Sequence, residues 1–574
     1  MAQVSLVFPP HWYYACVPAD LLYTGSQLRA RGLAVRCLDL HAELLADLLR
    51  PGSSFAALRE PATYTDPDRY HSVSAAVDAE CAAVSERFQV DFSFYSLAFP
   101  GIDEGAVPQA LAVGLDARRN PALPTLQAAV RRLLAEPAEP AESPAAGGER
   151  APAGAHLIAV ALVHPGQLVQ ALTLGRLLRQ AGFRGFLSIY GAHEDVLAPE
   201  DFAPDLLPQP GEPLHRLFDD FDGVIVGEAE TALLALAEAL AGQRAAESVP
   251  SLLCPRWGLL RPVRGQEDLR ALAAADFSLV DGSLYPFPTP VVDLRLSRGC
   301  PWGKCTFCAI AMQQEGYRSR PTAAAVSEIQ AAQRQLGARF FRFRDDLLTP
   351  RQLRELATEL GALPDSRRAR FSARARFEPG FTRELLQQAA DAGLQELWLG
   401  LESAVPRVRD LMKKGVAQPV IERILVDAAD AGIRVRALCM LGYPGESAAE
   451  IRQTFAFLAR VQPLLASVSM TPFFLMRRAP MGQAPSAFGL TELRGAAPLP
   501  PSPGDPGPDP VPRHERLRFA LRARWPGALA PAEIAALIDE CAALLGPELV
   551  AKSGGPSLAH AWLHASALRH GWPS

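Results

Sequence analysis

The stretch "SRGCPWGKCTFC", residues 297–308, decides how the rest of the chain is interpreted. It carries three of the nine cysteines with the spacing C-x4-C-x2-C, directly after the apolar run "VVDLRL". No fourth thiol stands beside the three, so this group needs its own explanation. The other six cysteines are scattered singly along the chain: Cys16, Cys37, Cys81, Cys254, Cys439 and Cys541.

The composition is that of an ordinary globular protein. The 574 residues are 49% hydrophobic and 21% charged, which is enough apolar content for several cores. The N-terminus lacks the features of a signal peptide, and no apolar run reaches the roughly 18 residues of a membrane span. We therefore expect a cytoplasmic protein without a membrane partner. A net charge of −5 argues against a general nucleic-acid surface.

A compact cysteine group in a reducing compartment predicts metal binding or redox chemistry rather than disulfides. A structural zinc site normally closes a tetrahedron with four ligands. Three thiolates can instead bind three irons of a [4Fe–4S] cluster and leave the fourth iron open to a ligand that is not protein. We predict this open cluster on Cys300, Cys305 and Cys308. A zinc clip stays as an alternative.

The first part of the chain, residues 1–245, alternates apolar strands with helix-like segments. This pattern predicts an α/β fold with a doubly wound, Rossmann-like parallel sheet, interrupted by an insertion at about 42–154 that ends in the low-complexity "EPAEPAESPAAGGERAPAG". Ligands of such sheets bind at the carboxyl ends of the strands. Plain turn chemistry explains the same residues equally well. The candidate contacts are His164, Gln167, Tyr190, Gly191 and Gly227.

A connector at 246–285 leads to six further strand and helix units at 286–482. Such a run predicts a partial (β/α)6 barrel with functional residues at the carboxyl ends of its strands. Residues 483–574 read as a Pro-rich linker followed by a small helical C-terminal element. The strand-end candidates are Asp345, Asp346, Arg374, Glu402, Ser403 and Gly442.

The cysteine loop, with Phe307 inside the last pair, resembles that of the radical S-adenosylmethionine (SAM) superfamily. The more common family spacing is C-x3-C-x2-C, and the longer form here resembles members that carry an N-terminal cobalamin-binding domain. The resemblance covers roughly residues 1–480. It implies a [4Fe–4S] cluster whose open iron is chelated by SAM. It also implies SAM contacts from Asp345, Arg374, Glu402 and Ser403, and approach of the adenine to the backbone at Gly442. Solvated strand-end charges or barrel-rim ion pairs stay open as an alternative for the polar residues, and a plain turn for the glycine.

The first domain, by the same resemblance, binds cobalamin against the loops at 163–167 and 190–193. Well-known cobalamin folds supply an axial histidine from D-x-H-x-x-G. The nearest string starts at Asp39, but Leu44 stands at the glycine position. We therefore reject His41 as a ligand and expect cobalt without a histidine.

The function implied is a cobalamin-dependent radical SAM enzyme that methylates an unactivated carbon in natural-product or modified-peptide biosynthesis. Its partners would be a small-molecule or peptide substrate and an external electron donor such as flavodoxin or ferredoxin. Two alternatives stay open: a non-methylating cyclisation or rearrangement, and a non-catalytic iron–sulfur or zinc protein. For His560 and His564, one helical turn apart, a solvated helix face is favoured over a metal pair.

Overall fold

The structure is a computed structural model, and it describes most of the chain. The predicted low-complexity segment at 136–154 and residues 498–511 of the predicted linker lie outside the described residues. The described ranges are 3–10, 16–48, 54–94, 96–135, 156–191, 199–260, 262–263, 265–310, 316–364, 369–492, 512–517, 523–546, 549–550 and 558–573.

The first part of the chain forms a six-stranded sheet with the order β2-β1-β5-β6-β7-β8. All neighbours are parallel except β7 and β8, so the predicted doubly wound sheet is confirmed, with one antiparallel edge strand. The elements are β1 (Gln3–Phe8), α1 (Ala19–Ala30), β2 (Ala34–Asp39), α2 (Leu40–Leu48), α3 (Ser54–Leu58), α4 (Pro61–Thr65), α5 (Pro67–Phe88), β3 (Asp91–Phe92), β4 (Leu97–Ala98), α6 (Val107–Gly114), α7 (Leu123–Ala135), β5 (His156–Ala161), α8 (Leu168–Gln180), β6 (Phe186–Tyr190), α9 (Pro199–Leu206), β7 (Gly223–Ile225), α10 (Glu230–Leu240) and β8 (Leu252–Leu253).

The inserted segment between β2 and β5 is largely helical where the structure describes it. Its longest helix, α5, begins at Pro67 because the Asp66 side chain accepts the backbone N–H groups of Asp68 and Arg69. Proline is favoured at the first helical position because it lacks an N–H there. The segment therefore adds a packed helical layer to the first sheet.

The second part forms the predicted six-stranded parallel sheet, with the order β16-β15-β14-β13-β12-β9. Helices follow its strands on the outside, as in a partial barrel. The elements are β9 (Val291–Leu294), β10 (Ser297–Arg298), β11 (Arg318–Ser319), α11 (Thr322–Leu336), β12 (Phe340–Phe343), α12 (Pro350–Gly361), β13 (Arg370–Ala375), α13 (Arg383–Asp391), β14 (Leu394–Glu402), α14 (Pro406–Leu411), α15 (Gln418–Asp430), β15 (Arg434–Leu441), α16 (Ala448–Val461), β16 (Ser467–Pro472), α17 (Pro480–Gln483), β17 (Thr491–Glu492), β18 (Ala523–Arg524), α18 (Pro531–Leu545) and α19 (Leu558–His570).

The last helix, α19, packs across the amino ends of the barrel strands. Trp562 is buried and meets Phe340 at the start of β12 edge to face, 5.3 Å between ring centroids. Arg370, at the start of β13, donates to the Ser566 hydroxyl over 2.9 Å. The C-terminal helix thus closes the end of the barrel opposite to the cysteine loop.

The two histidines of α19 lie inside this contact. His560 is fully buried and donates from Nε2 to the Pro286 carbonyl over 2.7 Å. His564 stacks on Tyr70 of α5 at 3.9 Å between ring centroids. The expectation of a solvated helix face was therefore wrong, because the inserted helices cover that face.

In the part of the chain that the structure describes, no helix combines the length and the apolar character needed to cross a membrane.

Candidate functional site

The cysteine loop begins and ends in the short antiparallel ribbon of β10 and β11, in which Arg298 pairs with Arg318. The ribbon holds the two ends of segment 299–317 together at the carboxyl end of β9. The cysteines of this loop are free thiols and are half-buried. The strand-end position predicted for the loop is confirmed.

The three thiols lie within electrostatic reach of one another. Burial raises the pKa of Cys308, and the neighbouring Cys305 and Cys300 raise it further. Burial also raises the pKa of Cys305, although Lys414 opposes this. Three reduced thiols within electrostatic reach of one another are a donor set that suits a [4Fe–4S] cluster.

Within the described ranges, no three His, Cys, Asp or Glu side chains converge on one metal ion. A [4Fe–4S] cluster does not require such a group, because each thiolate binds a different iron.

Asp345 and Asp346, which follow β12, fix the start of the cysteine loop. Asp345 is fully buried and accepts the Leu296 N–H at 3.0 Å together with the Ser297 hydroxyl. Asp346 accepts the Gly299 N–H at 2.8 Å, one residue before the first cysteine. Burial raises the pKa of Asp346 to about 6. Both carboxyl groups therefore position the loop backbone, and contact of Asp345 with SAM stays a prediction.

Glu402 ends β14 and forms a largely buried ion pair with Lys414, at 2.7 Å between Oε1 and Nζ. Both side chains influence the pKa of Cys305, so the pair lies beside the cysteine group. Glu402 has a φ of 60°, a backbone conformation that is strained for a residue with a side chain and that clusters at functional sites. A Cβ on Gly400 would approach Glu402 Oε1 to 2.6 Å, so the glycine leaves the room that the pair needs.

Lys414 was not identified from the sequence. The signal that could have found it is its rarity, since lysine occurs only at Lys304, Lys413, Lys414 and Lys552 among 57 basic residues. Burial lowers the pKa of Lys414, but the attraction of Glu402 and Cys305 outweighs burial and raises it above the usual value. The ammonium group therefore stays charged next to the thiols.

The residues directly after α14 contact the outer side of the cysteine loop. The Thr306 N–H donates to the Met412 carbonyl over 3.1 Å, and its hydroxyl lies 2.7 Å from that of Tyr443. Trp302 donates to the Lys413 carbonyl over 2.9 Å, and the Arg376 guanidinium lies 4.2 Å from the centre of its ring. These contacts hold the loop on both sides of Cys305.

Two further barrel candidates, Arg374 and Ser403, contact other protein groups. Arg374 lies on β13, with its guanidinium 5.6 Å from the centre of the Trp398 ring and close enough to Asp346 to lower its pKa. Ser403 is fully buried, and its hydroxyl accepts the Val405 N–H at 3.3 Å. Contacts of Arg374 and Ser403 with SAM stay predictions.

Gly442 has a φ of 73° after β15, as the glycine at a turn requires. A Cβ built on it would lie 2.7 Å from Ile534 of α18. The positive φ and the close approach of α18 therefore both favour glycine at this position. Approach of an adenine to this backbone stays a prediction.

The candidates of the first domain lie at the carboxyl end of its sheet. Gln167 is fully buried, accepts the Val163 N–H at 2.9 Å and donates to the Pro9 carbonyl over 3.0 Å, so it ties β5 to β1. His164 Nδ1 accepts the Gly166 N–H at 3.1 Å, which caps a short 3-10 turn. These contacts are turn chemistry of the kind considered from the sequence.

Tyr190 is fully buried at the end of β6, and its hydroxyl has no hydrogen-bond partner among the described residues. Gly191 is buried beside it, and Gly227 has a φ of 90° after β7. A glycine at two strand ends leaves no side chain between the backbone and a ligand, which suits close approach of a large planar cofactor. Residues 11–15 and 192–198, which include the end of the predicted cobalamin contact at 190–193, lie outside the described residues.

Comparison with known proteins gives a family for the barrel. Residues 294–458 match the Radical SAM superfamily. An uncharacterized methyltransferase of Pyrococcus horikoshii is 22% identical over 245 residues, which are 42% of this chain and 53% of the relative. The chain thus spans about half the length of the curated relative that it matches.

Solved structures extend the likeness in fold to the whole chain. The radical SAM methyltransferase TsrM from Kitasatospora setae, with cobalamin and a [4Fe–4S] cluster bound, has a TM-score of 0.60 and 15% identity over 100% of this chain and 99% of its own. OxsB, a cobalamin-dependent radical SAM enzyme with aqua-cobalamin and SAM bound, has a TM-score of 0.52 and 12% identity over 85% of this chain and 56% of its own. The barrel, with its cysteine loop at the end of the first strand, thus matches the Radical SAM superfamily over residues 294–458, and the whole chain resembles TsrM in fold.

Proposed function

We propose that the protein is a cobalamin-dependent radical SAM enzyme that methylates a carbon atom. The observation that carries this proposal is the match in fold over the full length of both chains to a methyltransferase that holds cobalamin and a [4Fe–4S] cluster. The free thiols of the cysteine loop supply the donor set that such an enzyme needs.

Cys300, Cys305 and Cys308 would hold the cluster, and Glu402 and Arg374 would contact SAM. Bound together, these cofactors supply reductive cleavage of SAM and a methyl group carried on cobalt. The protein's own part is to orient the groups and to exclude water. The ion pair of Glu402 and Lys414 places two opposite charges beside the thiols, where a zwitterionic methionine group would bind.

Cobalamin would bind at the carboxyl edge of the first sheet, against His164, Gln167, Tyr190, Gly191 and Gly227. The His164 imidazole already accepts a backbone N–H within its own turn, which supports a cobalt without a histidine ligand from this loop. We extend the proposal to a small-molecule or peptide substrate in natural-product biosynthesis. A second TsrM structure, with tryptophan substrate bound, shows that a fold of this kind can accept a small molecule.

The external electron donor would reach the cluster across the outer face of the cysteine loop. Lys304 and Lys413 are exposed there, and Trp302 is partly exposed between them. Two of the four lysines of the chain are therefore exposed around this loop, although the chain as a whole is acidic. An acidic flavodoxin or ferredoxin fits a local positive surface of this kind. A cytoplasmic location belongs to the same proposal, since these donors require a reducing compartment.

The test is anaerobic reconstitution with iron, sulfide and hydroxocobalamin, followed by reduction with dithionite and incubation with SAM labelled in its methyl group. We expect about four irons and one cobalamin per chain, with label passing to the protein-bound cobalamin. Cluster and SAM cleavage without bound cobalamin would replace the proposal by a non-methylating radical reaction. Zinc without acid-labile sulfide would replace it by the non-catalytic alternative.

A further inference from the structure

The ribbon that frames the cysteine loop carries two arginines directly opposite each other, Arg298 on β10 and Arg318 on β11. Like charges at such paired positions repel and destabilise a ribbon unless anions neutralise them. The anions come from the first domain, from the segment that links β7 to α10. Arg298 and Arg318 are therefore held by a domain other than their own.

The contacts are close and buried. Arg298 binds Glu230 with both terminal nitrogens and lies 3.3 Å from Glu228. Arg318 donates to the two oxygens of Glu228, one of them over 3.0 Å. The Arg298 side chain is 2% exposed, and those of Glu228 and Glu230 are 4% and 0% exposed. Glu228 thus lies between the two guanidinium groups.

A third carboxyl group completes the set. Glu267 donates its backbone N–H to Glu228 over 2.5 Å, and its carbonyl accepts from Arg318 at 2.6 Å. Its side chain accepts the N–H of Thr231 at 2.6 Å. Burial, together with the nearby Glu230, raises the pKa of Glu267 to about 7. We call these five residues the interdomain charge cluster: Glu228, Glu230, Glu267, Arg298 and Arg318.

The interdomain charge cluster lies between the proposed cobalamin site and the cysteine loop. Glu228 follows Gly227, a candidate cobalamin contact, and Arg298 stands two residues before Cys300. Burial raises the pKa of Tyr190, at the end of β6, and the Glu230 carboxylate lies close enough to raise it further. Buried ion pairs add little net stability compared with apolar packing, but losing one partner is costly. A cluster of this kind therefore fixes geometry rather than adding stability.

We infer that Arg298 and Arg318 are positioning residues that couple the cobalamin edge of the first domain to the cysteine loop. This inference rests on the proposed function. The cysteine loop would take its final conformation only when the iron–sulfur cluster is assembled. The interdomain charge cluster would then pass this ordering to residues 226–230 of the first domain. Coupling between two binding sites is reciprocal, so each cofactor must strengthen binding of the other by the same factor.

The experiment measures the dissociation constant of hydroxocobalamin for the full-length protein with and without the iron–sulfur cluster. The form without the cluster is the variant with Cys300, Cys305 and Cys308 all replaced by Ala. We expect the cluster-loaded wild type to bind hydroxocobalamin more tightly, by a factor within the usual range of about 5- to 150-fold. The same ratio is then measured in an Arg318→Gln background, where we expect it to approach one.

Arg179→Gln is the matched control. Arg179 is also 20% exposed and pairs with Asp222 at 2.6 Å, but both of these residues belong to the first domain. This variant should keep the wild-type ratio. Arg318→Lys retains a positive charge beside Glu228 and should restore part of the ratio. If the Arg318→Gln protein contains less iron than the wild type, Arg318→Lys is measured in its place, and its ratio should then lie between one and the wild-type value.

The outcomes separate the inference from the proposed function. A ratio of one in the wild type, or a wild-type ratio in Arg318→Gln protein with full iron content, overturns the coupling while leaving the proposed enzyme intact. Failure of every form to bind hydroxocobalamin overturns the proposed function, and the coupling with it.

Discussion

The two six-stranded sheets of this protein follow the same β/α order but treat charge in opposite ways. Strands β1, β5 and β6 are almost entirely apolar and buried, as expected where helices cover both faces of a sheet. Five of the six barrel strands instead carry charged residues among the apolar ones, as in "RFFRFRDD" at 339–346, and only β16 carries none. The buried members of this charged set must therefore find ionic partners.

The barrel meets this requirement with a set of internal ion pairs. Arg342 on β12 pairs with Asp293 on β9 through two bonds of 2.8 and 2.7 Å, and both side chains are buried. On β14, Trp398 donates to Glu396 over 2.6 Å, with the Arg436 guanidinium 4.7 Å from its ring centre. The first sheet is stabilised by the packing of apolar side chains, whereas the barrel also depends on the pairing of its buried charged side chains. The following predictions test this contrast.

The largest effect is expected at the cysteine loop. Replacement of Cys300, Cys305 or Cys308 by Ala removes one of three protein ligands, so the cluster should be lost or incomplete. Iron and sulfide analysis of the anaerobically reconstituted protein measures this. The control is Cys254→Ala, a fully buried thiol beside the first sheet, which should keep its iron and change only packing. Wild-type iron in a loop variant would contradict the ligand assignment.

The next effect concerns the buried pair in the barrel. Arg342→Met leaves Asp293 buried beside a more distant arginine, Arg344, at 3.8 Å, and should lower the free energy of unfolding by about 3–5 kcal/mol. The matched change in the first sheet is Ile158→Ala, expected to cost about 2–5 kcal/mol as a cavity. Thermal and denaturant unfolding measure both variants.

The double variant Asp293→Leu with Arg342→Met distinguishes pairing from packing. It should recover much of the loss, because two apolar side chains can replace a buried ion pair. No comparable partner substitution should rescue Ile158→Ala. A double variant no more stable than Arg342→Met alone would contradict the role given to the pair.

A smaller, pH-dependent effect is expected at Asp39, where β2 ends beneath Tyr285. Burial raises the pKa of Asp39 to about 6, despite the hydrogen bond from the Tyr285 hydroxyl at 2.7 Å. The folded protein therefore binds this proton more tightly than the unfolded chain, and its stability falls as pH rises from about 4 to about 6.

Asp39→Asn removes this pH-dependent contribution to the free energy of unfolding. Relative to the wild type, its free energy of unfolding should rise by roughly 3 kcal/mol across that pH window and then stay level above about pH 7. Unfolding midpoints of both proteins over this range measure the difference. A constant difference at all pH values would mean that Asp39 does not titrate there.

The smallest effect is expected on the surface. Arg452 of α16 and Glu540 of α18 form an exposed pair at 2.8 Å, with side chains 53% and 44% exposed. Glu540→Gln should change the free energy of unfolding by less than about 1 kcal/mol, since water and salt screen such pairs. A loss as large as that of Arg342→Met would show that the contrast between buried and exposed pairing is wrong.

The sequence alone determined the order of the elements and the place of the cysteine loop. Both depend on local patterns: uninterrupted apolar runs predict covered strands, helical periodicity predicts the intervening helices, and the spacing of Cys300, Cys305 and Cys308 places three thiols in one turn. The two parallel sheets and the strand-end loop follow from these patterns, because consecutive β/α units connect with a single preferred handedness.

Only the tertiary structure decided which charged groups meet. Lys414 pairs with Glu402, Arg298 reaches Glu230 across 68 positions, and His560 is buried against Pro286, 274 positions away. No local period encodes such contacts, since they depend on how separate elements pack after each has formed. Burial then changes what each residue can do. The arginines of the β10–β11 ribbon need anionic partners because they are largely buried. His560 is buried as well, although the helical period of α19 predicted a solvent-exposed face for it.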